Sequence, residues 1–418
     1  MIDGLRYSLN RVQVFKMPRK KLKRPSVYGV ESQVASLTDV TTVDNLSEYD
    51  LEHVFSFLSC RDKATAAQVC RHWKSIIYQK SLWRNNNKVK YVSDTADMQI
   101  MAPSLVQRGI TDVFFADAYY IKPNVANKSK ANSCSVLFRN QQFCHLTRIM
   151  AESITGLNLL VIRPVNYRVV QKFLSVSMPN LISLILWLNF QLRTETVKSI
   201  THNCSNLTRL SLYNCKNITK EGFLHLGMNL SKLKSLTLEG SEHLRDPVLH
   251  NMTVHLPELE ELKLIYTRRK ITDRGVAHVA NLKNLRVLDL TLSRHLTVNC
   301  IDKLSSAGSA VRELRVNVCA DEAMRRIGRS HLFITHLLVG CLITRNCCQA
   351  TEAGIDGLLD YGHKHYRSLG IEGKSDISVN GMIKMGTQLN DLVSLKINRV
   401  EKIGDVRNAV KEREQGNS

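Results

Sequence analysis

A leucine spacing that recurs every 26 residues constrains the fold of this chain more than any other feature of its 418 residues. The pattern LxxLxL is strict in the centre of the chain, and valine replaces two of the leucines in the last strict copy. Strict copies start at Leu181, Leu207, Leu233, Leu259, Leu285 and Val311, and weaker copies start at Leu157, Ile334, Tyr366 and Leu392. A register this constant predicts a repeat architecture.

Each repeat has the pattern of a strand, a turn and a helix. In LxxLxL the fourth and sixth side chains point to one side of a short strand, because side chains alternate along a strand. Later in each copy, an apolar residue is followed by one that can cap the first turn of a helix. These capping residues are Thr219, Thr272, Thr297 and Ser378, and Asp246 with Pro247 fits the same role. One unit cannot bury its apolar face alone, so we expect the copies to stack into an α/β solenoid.

These repeats resemble the leucine-rich-repeat family in its 26-residue, cysteine-containing form. The resemblance implies a right-handed, horseshoe-like solenoid of about ten repeats over residues 155–403. Residues 87–154 are then expected to be a linker, with a degenerate repeat starting at Ile110 and a polar loop. Residues 404–418 are expected to be a polar tail.

Candidate substrate contacts are the non-leucine positions of the strands, which a concave sheet should present. They are Trp187, Arg209, Tyr213, Lys263, Arg315 and Lys396. Aromatic and arginine side chains are common interface anchors, and a basic strip with aromatics suits an acidic or phosphorylated peptide. Glu261, Asp289 and Glu313 interrupt the strip, so a solvated face without a partner is the alternative.

A second pattern, between residues 45 and 84, predicts three short helices ahead of the repeats. Ser47 fits a helix N-cap, with Asp50 in the capping-box position. The first helix carries four apolar residues on one face: Leu51, Val54, Phe55 and Leu58. The second helix starts near Asp62, and its apolar face carries Ala66, Val69, Cys70, Trp73 and Ile77. A short third segment carries Leu82 and Trp83. So small a unit is near the lower limit for an independent core. We therefore expect a docking module whose exposed apolar face is covered by a partner.

The order of these landmarks, which ends in Val-Cys-Arg-x-Trp and Leu-Trp-Arg, resembles an F-box. Together with the repeats it resembles the F-box/leucine-rich-repeat family, the substrate receptors of SCF-type cullin–RING ubiquitin ligases. The family pattern has proline where Ser47 stands and often glutamate where Tyr49 stands. The resemblance implies a small all-α F-box over residues 44–86 that binds the Skp adaptor, and a solenoid that holds a substrate protein.

The resemblance also implies a set of adaptor-docking residues. They are Leu46, Ser47, Leu51, Val54, Phe55, Leu58, Val69, Trp73, Leu82 and Trp83. Some of them are expected to touch the adaptor, and others, Trp73 first, to form only the core of the module. Such a receptor catalyses no bond chemistry and acts through proximity. The alternative function is a leucine-rich-repeat scaffold outside any ligase.

Charge and cysteine content bear on partners and location. The formal net charge of +21 favours acidic or phosphorylated partners, or a diffusely basic surface, and a nucleic-acid partner is the weaker expectation. Residues 1–43 are expected to be a disordered basic tail, and the stretch Pro18–Pro25 resembles a nuclear-import signal. Eleven cysteines without a Cys-x-x-Cys pair indicate reduced thiols in the cytoplasm or nucleus.

No motif indicates an active site, a cofactor or a metal. Cys341, Cys347 and Cys348 lack the His/Cys spacing of a zinc finger, and Gly370–Ser375 lacks the first glycine of a phosphate loop. No apolar run approaches the ~20 residues of a membrane span. We therefore expect a non-catalytic protein that uses no cofactor, metal or membrane.

Overall fold

The computed structural model describes the chain between residues 46 and 397, with gaps. The described residues are 46–58, 60–86, 88–92, 98–116, 148–160, 167–187, 192–267, 271–293, 295–340, 350–361, 365–372 and 375–397. The tails predicted for residues 1–43 and 404–418, including the basic stretch 18–25, lie outside them. The chain divides into two units, Met1–Leu51 and Glu52–Ser418, so most of the described residues belong to the second unit.

Three short α-helices and a 3₁₀ helix come first. They are α1 (Glu48–Ser56), α2 (Cys60–Ala66), α3 (Arg71–Ile77) and the 3₁₀ helix Lys80–Asn86. The prediction of one continuous helix from about Asp62 to Ile77 is wrong, because the chain divides this stretch into α2 and α3.

The break between α2 and α3 has a local cause. The amides of Gln68 and Val69 bond carbonyls only three residues back, which tightens the last turn and ends α2. Cys70 then takes an extended conformation, with φ −153° and ψ 168°, and its sulfur accepts the amide of Trp73 at 3.3 Å. Cys70 is therefore the N-cap of α3 and not part of an apolar helix face.

Twelve of the described strands form one sheet, and every neighbouring pair in it is parallel. In order across the sheet they are β1 (Lys88–Val92), β2 (Asp112–Ala116), β3 (Gly156–Leu160), β4 (Ser183–Trp187), β5 (Arg209–Leu212), β6 (Ser235–Glu239), β7 (Glu261–Ile265), β8 (Val287–Leu290), β9 (Glu313–Val316), β10 (His336–Gly340), β12 (Ser368–Glu372) and β14 (Ser394–Ile397). The short strands β11 (Ala350–Thr351) and β13 (Ser375–Asp376) pair with each other.

Helices connect successive strands of the sheet, as parallel pairing requires. They are α4 (Met98–Gln107), α5 (Tyr167–Leu174), α6 (Thr194–Asn203), α7 (Lys220–Asn229), α8 (Asp246–Val254), α9 (Asp273–Val279), α10 (Asn299–Ser306), α11 (Ala320–Arg329), α12 (Glu352–Tyr361) and α13 (Val379–Gln388).

The strand register equals the repeat length. Leu184 lies opposite Leu210, and Leu210 lies opposite Leu236, so residues 26 positions apart are neighbours in the sheet. These leucines are at most 1% exposed, and apolar residues of the helices, such as Val197 and Ile200 of α6, are buried with them. The predicted α/β solenoid of 26-residue repeats is confirmed.

The sheet also includes strands from the interval 87–154 that was predicted to be a linker. β1 and β2 come from this interval, and β2 begins two residues after Ile110, where a degenerate repeat was expected. Val113 lies opposite Leu157, and both are fully buried. The solenoid sheet therefore starts directly after the 3₁₀ helix.

The predicted helix starts are largely in place. Thr219, Thr272 and Ser378 are N-caps of α7, α9 and α13. The N-cap of α10 is Val298, one residue after the predicted Thr297, whose hydroxyl accepts the amide of Asn299 at 3.1 Å. Asp246 differs, because the N-cap of α8 is Arg245 and Asp246 is the first residue inside the helix. Its carboxylate is used by the next repeat instead, as described in the Discussion.

Candidate functional site

The first helix begins with a reciprocal capping box. The hydroxyl of Ser47 donates to the carboxylate of Asp50 at 2.6 Å, and the amide of Asp50 donates to the Ser47 hydroxyl oxygen at 3.2 Å. The Ser47 amide reaches the same carboxylate at 3.3 Å. Free amides at the helix start are thereby satisfied. Serine in the usual proline position thus still defines where α1 begins.

Four of the predicted docking residues are almost fully buried. Phe55, Leu82 and Trp83 belong to the second unit, and Leu51 is the last residue of the first unit. The indole of Trp83 donates to the carbonyl of Ile77 at 2.6 Å, which satisfies its one polar group. Phe55, Leu82 and Trp83 form the core of the module, and the role of all four residues in adaptor docking stays a prediction.

A buried lysine completes this core. The ammonium of Lys63 donates to the carbonyl of Leu82 at 2.8 Å and lies 5.7 Å from the centroid of the Trp83 ring. Trp73, which was expected to be internal, is partly exposed and packs against Phe55 edge to face, with 5.2 Å between ring centroids. Trp73 is therefore accessible to a partner along part of its ring.

Exposed apolar side chains form the candidate docking surface. Val54 is 49% exposed, Phe57 is 77% exposed and Val69 is 64% exposed, and we call these three residues the exposed apolar set. Ser47 is exposed, and Tyr49 is 79% exposed. Phe57 is not predicted by the helical periodicity, because it lies outside the apolar stripe of α1. Leu51 and Phe55 of that stripe are buried, so the exposed apolar surface differs from the predicted docking face.

Arg108, directly after α4, connects the helical module to the solenoid. Its guanidinium lies 3.9 Å from the centroid of the Tyr78 ring and 5.0 Å from that of Trp83. Burial raises the pKa of Tyr78, but the charge and hydrogen bond of Arg108, with further polar neighbours, outweigh burial and hold the pKa below its usual value.

Gly109, the next residue, packs closely against the helical module. Its φ of +69° is a conformation that favours glycine, and a Cβ there would lie 3.1 Å from the Lys80 side chain. The module is thus joined to the solenoid by packed contacts.

The side chains at the first, third and fifth positions of each strand point away from the buried leucines, and we call this side of the sheet the open face. Five of the six predicted substrate contacts lie at such positions, and the sixth, Tyr213, directly follows β5 and stacks on Trp187. The six are Trp187, Arg209, Tyr213, Lys263, Arg315 and Lys396. Their role as substrate contacts stays a prediction.

An aromatic stack marks one part of the open face. The rings of Trp187 and Tyr213 stack with 5.1 Å between their centroids and 23° between their planes. Burial, with the charges of Glu239, Glu261 and Asp289, raises the pKa of Tyr213 to about 12. The described side-chain charges that act on the Tyr213 hydroxyl are therefore negative.

Ion pairs occupy most of the basic side chains on the open face. The pairs are Lys263–Glu261, Arg315–Glu313 at 2.5 Å, Arg315–Asp289 at 3.8 Å and Lys396–Glu372 at 3.7 Å. From β3 to β14, the open face carries four Lys and Arg side chains (Arg209, Lys263, Arg315 and Lys396) against five acids (Glu239, Glu261, Asp289, Glu313 and Glu372). It alternates paired charges instead of presenting a continuous basic strip.

Titratable groups in the described ranges do not converge on a metal. No three His, Cys, Asp or Glu side chains there are arranged to hold one, and the weighed cysteines Cys341, Cys347 and Cys348 lie outside these ranges. Burial raises the pKa of Cys204 and of Cys300, both free thiols, to about 12, as expected of packing groups. Helices in the same ranges include none with the length and apolarity to cross a membrane.

A protein-family model described as F-box-like matches residues 51–88 of this chain. The matched range runs from Leu51 in α1 through α2, α3 and the 3₁₀ helix to the start of β1, so it covers the helical module and not the repeats.

Two solved structures resemble the chain more weakly. A chain of the crystal structure of the Rad7 and Elc1 complex in yeast aligns at 14% sequence identity over 79% of this chain and 89% of that chain, with a TM-score of 0.49. Internalin C2 from Listeria monocytogenes aligns at 16% identity over 56% of this chain and 90% of that chain, with a TM-score of 0.27.

Proposed function

Because the chain carries an F-box-like domain ahead of an α/β solenoid, we propose that it is the substrate-recognition subunit of an SCF-type cullin–RING ubiquitin ligase. The F-box-like domain docks the Skp adaptor, and through the adaptor the cullin and RING subunits. The solenoid binds a substrate protein on its open face for ubiquitination and proteasomal degradation. This role belongs to the cytoplasm or the nucleus.

The observation that carries the proposal is the F-box-like match over a helical module that leaves large apolar side chains in water. Phe57, Val69 and Val54 are each about half exposed or more. Fully burying such a side chain stabilises a complex by about 1.5–3 kcal/mol relative to leaving it in water. An adaptor that covers the exposed apolar set would gain this stabilisation.

The receptor contributes proximity and not bond chemistry. A substrate held on the open face is presented to the conjugating enzyme as an effectively intramolecular reactant. This effect requires a fixed geometry between the docking module and the solenoid. The stacked contacts of Arg108 with Tyr78 and Trp83 support such a geometry.

Co-purification of the full chain with a recombinant Skp adaptor and cullin tests the proposal. We expect Phe57→Asp to weaken adaptor binding at least tenfold, because a charge would be buried in an apolar contact. Val254→Asp is the matched control, since Val254 at the end of α8 is 60% exposed but lies outside the helical module. Thermal unfolding of both variants verifies that each one is folded.

Two outcomes would count against the proposal. If the full chain does not bind the adaptor, or if Phe57→Asp and Val254→Asp bind it equally well, the docking role is wrong. Adaptor binding without recruitment of the cullin would instead support the alternative function, a scaffold outside any ligase.

A further inference from the structure

We propose that the part of the open face around Trp187, Tyr213 and Glu239 takes a cationic side chain, an arginine or a lysine, from a basic segment of the substrate. The proposal deepens the proposed function and rests on it, because it names the chemical class that the solenoid binds. It runs opposite to the acidic or phosphorylated partner that the net charge of +21 favours.

The aromatic stack supplies the first half of this site. The stacked rings of Trp187 and Tyr213 belong to neighbouring strands, and both are partly exposed on the open face. The face of an aromatic ring carries negative charge density and attracts a cation within about 6 Å of its centroid. Tryptophan and tyrosine are stronger in this respect than an aliphatic surface of the same area.

The carboxylate of Glu239 supplies the second half. Glu239 follows Leu238, and Leu238 lies opposite Leu212, so the strand register places Glu239 beside Tyr213. Glu239 is partly buried, and no hydrogen-bond donor or cation in the described part of the chain shifts the pKa of its carboxyl group. Burial raises the pKa of Glu239, which means that its charge is incompletely compensated. A cation from a partner would supply the missing compensation.

Among the described residues, two basic side chains of neighbouring strands on the open face, Lys263 and Arg209, are engaged elsewhere. Lys263 pairs with Glu261. Arg209 acts on Glu261 and lies four residues before Tyr213 on the same strand, which places the two backbone positions about 13 Å apart. Neither cation is therefore placed to occupy the position in front of Glu239.

The third positions of β5 and β6 carry short side chains. Ser211, between the aromatic stack and Arg209, is partly exposed, and Thr237 beside it is 5% exposed. A bound segment would therefore cross the sheet over short side chains. An acidic segment on the same path would meet the carboxylate of Glu239, so charge complementarity favours a basic occupant.

The test uses an array of synthetic 12-residue peptides and the purified full chain. Each peptide carries a central pair of arginines, lysines, glutamates or phosphoserines. The flanking sequences vary within each class, and the same flanking sequences are used in all four classes. We expect arginine and lysine peptides to be retained above the other two classes, and the best arginine peptide then to be measured by fluorescence anisotropy. Glu239→Gln should weaken its binding about tenfold, and Trp187→Leu should weaken it about fivefold, consistent with one lost charge contact and one lost ring.

Glu258→Gln is the matched control, because Glu258 is exposed and lies before β7, off the open face. Preferential retention of glutamate or phosphoserine peptides, retention of no class, or equal losses in Glu239→Gln and Glu258→Gln would each overturn the inference. Adaptor co-purification is measured on the same preparations. If the adaptor binds and the arginine peptides do not, only this inference fails, whereas arginine binding without adaptor binding contradicts the proposed function alone.

Discussion

The carboxylate of Asp246 in one repeat bonds Thr272 of the next repeat through both of its oxygens. Oδ1 accepts the Thr272 amide at 2.9 Å, and Oδ2 accepts the Thr272 hydroxyl at 2.5 Å. Thr272 is the N-cap of α9, so an acid at one helix start completes the cap of the following helix. The same paired bonds join Asp273 to Thr297 and Asp321 to Thr351. A single bond joins Glu352 to Ser378, and the Thr194 hydroxyl bonds both the amide and the hydroxyl of Thr219. We call these contacts the inter-repeat caps.

A glycine three residues after the capping residue makes room for this contact. A Cβ at Gly275 would overlap Oδ1 of Asp246, and one at Gly354 would overlap Oδ1 of Asp321. Gly222 stands in the same position after Thr219, and Gly381 stands there after Ser378. At Gly275 and Gly354 the glycine thus leaves space for an acid of the preceding repeat, whereas at Gly222 and Gly381 the nearest atom is an isoleucine of the same repeat.

Asp246→Asn is expected to lower the free energy of unfolding by about 1–3 kcal/mol, since a charge-assisted hydrogen bond at a partly buried site is lost. Thr272→Val removes the hydroxyl partner at similar volume. In urea denaturation, the double variant should lose less than the sum of the two single losses, because both substitutions remove the same contact. The control cycle combines Asp246→Asn with Ser378→Ala in a distant repeat and should be additive. Additivity in the Asp246–Thr272 cycle would mean that the contact does not couple the repeats.

Gly275→Ala is expected to destabilise the protein by about 1–3 kcal/mol, although alanine normally favours a helix over glycine by about 1 kcal/mol. The added methyl group displaces the Asp246 carboxylate from its bonds. Gly386→Ala in α13 is the matched control, because nothing lies within 4 Å of its Cβ position, and it should stabilise by about 0.5–1 kcal/mol. Thermal denaturation of both variants gives the comparison, and equal effects of the same sign would refute the steric role assigned to Gly275.

The repeat core could be predicted from sequence because its determinant is local and periodic. Leucines at 184 and 186 occupy one side of a strand by alternation alone, and the constant spacing then aligns them with Leu210 and Leu212. The inter-repeat caps could not be predicted in the same way. Capping rules assign the carboxylate of Asp246 to its own helix, whereas the fold brings a second helix start, at Thr272, within hydrogen-bonding distance.

The sequence predicted which residues lie on the open face, but it did not predict how the charges on this face are paired. The six candidate residues follow from strand alternation, yet their electrostatic character depends on neighbours. Glu261 and Lys263 are two residues apart on one strand, so their side chains share a face and can form an ion pair. The net charge of the chain does not reveal this pairing. The stack of Trp187 and Tyr213 was likewise implicit in their spacing of 26 residues, since positions one repeat apart are adjacent in the sheet.

Stability is expected to fall with pH above about 9 because of the buried thiols. The pKa of Cys204 is about 12 in the folded chain against a reference value of 9.0. Between these values the unfolded chain releases the thiol proton and the folded chain keeps it, so unfolding becomes easier by up to about 1.4 kcal/mol per pH unit. This contribution is fully present below pH 9. Urea denaturation should show the stability advantage of the native chain over Cys204→Val shrinking from pH 8 to pH 10. A constant difference would contradict the raised pKa.

Arg108→Ala is expected to loosen the helical module from the solenoid while leaving adaptor affinity within about twofold. The guanidinium stacks 3.9 Å from the Tyr78 ring centroid, and cation–π contacts that are partly desolvated contribute about 1–2 kcal/mol. Hydrogen exchange of the amides from Ile76 to Trp83 should therefore accelerate about five- to thirtyfold. Arg108→Lys should recover little of the protection, because an ammonium keeps the charge but not the planar stack. Arg274→Ala is the control, since Arg274 is exposed on α9, far along the chain from the module. Unchanged exchange in Arg108→Ala would mean that the other packed contacts, such as Gly109 against Lys80, hold the junction without the arginine.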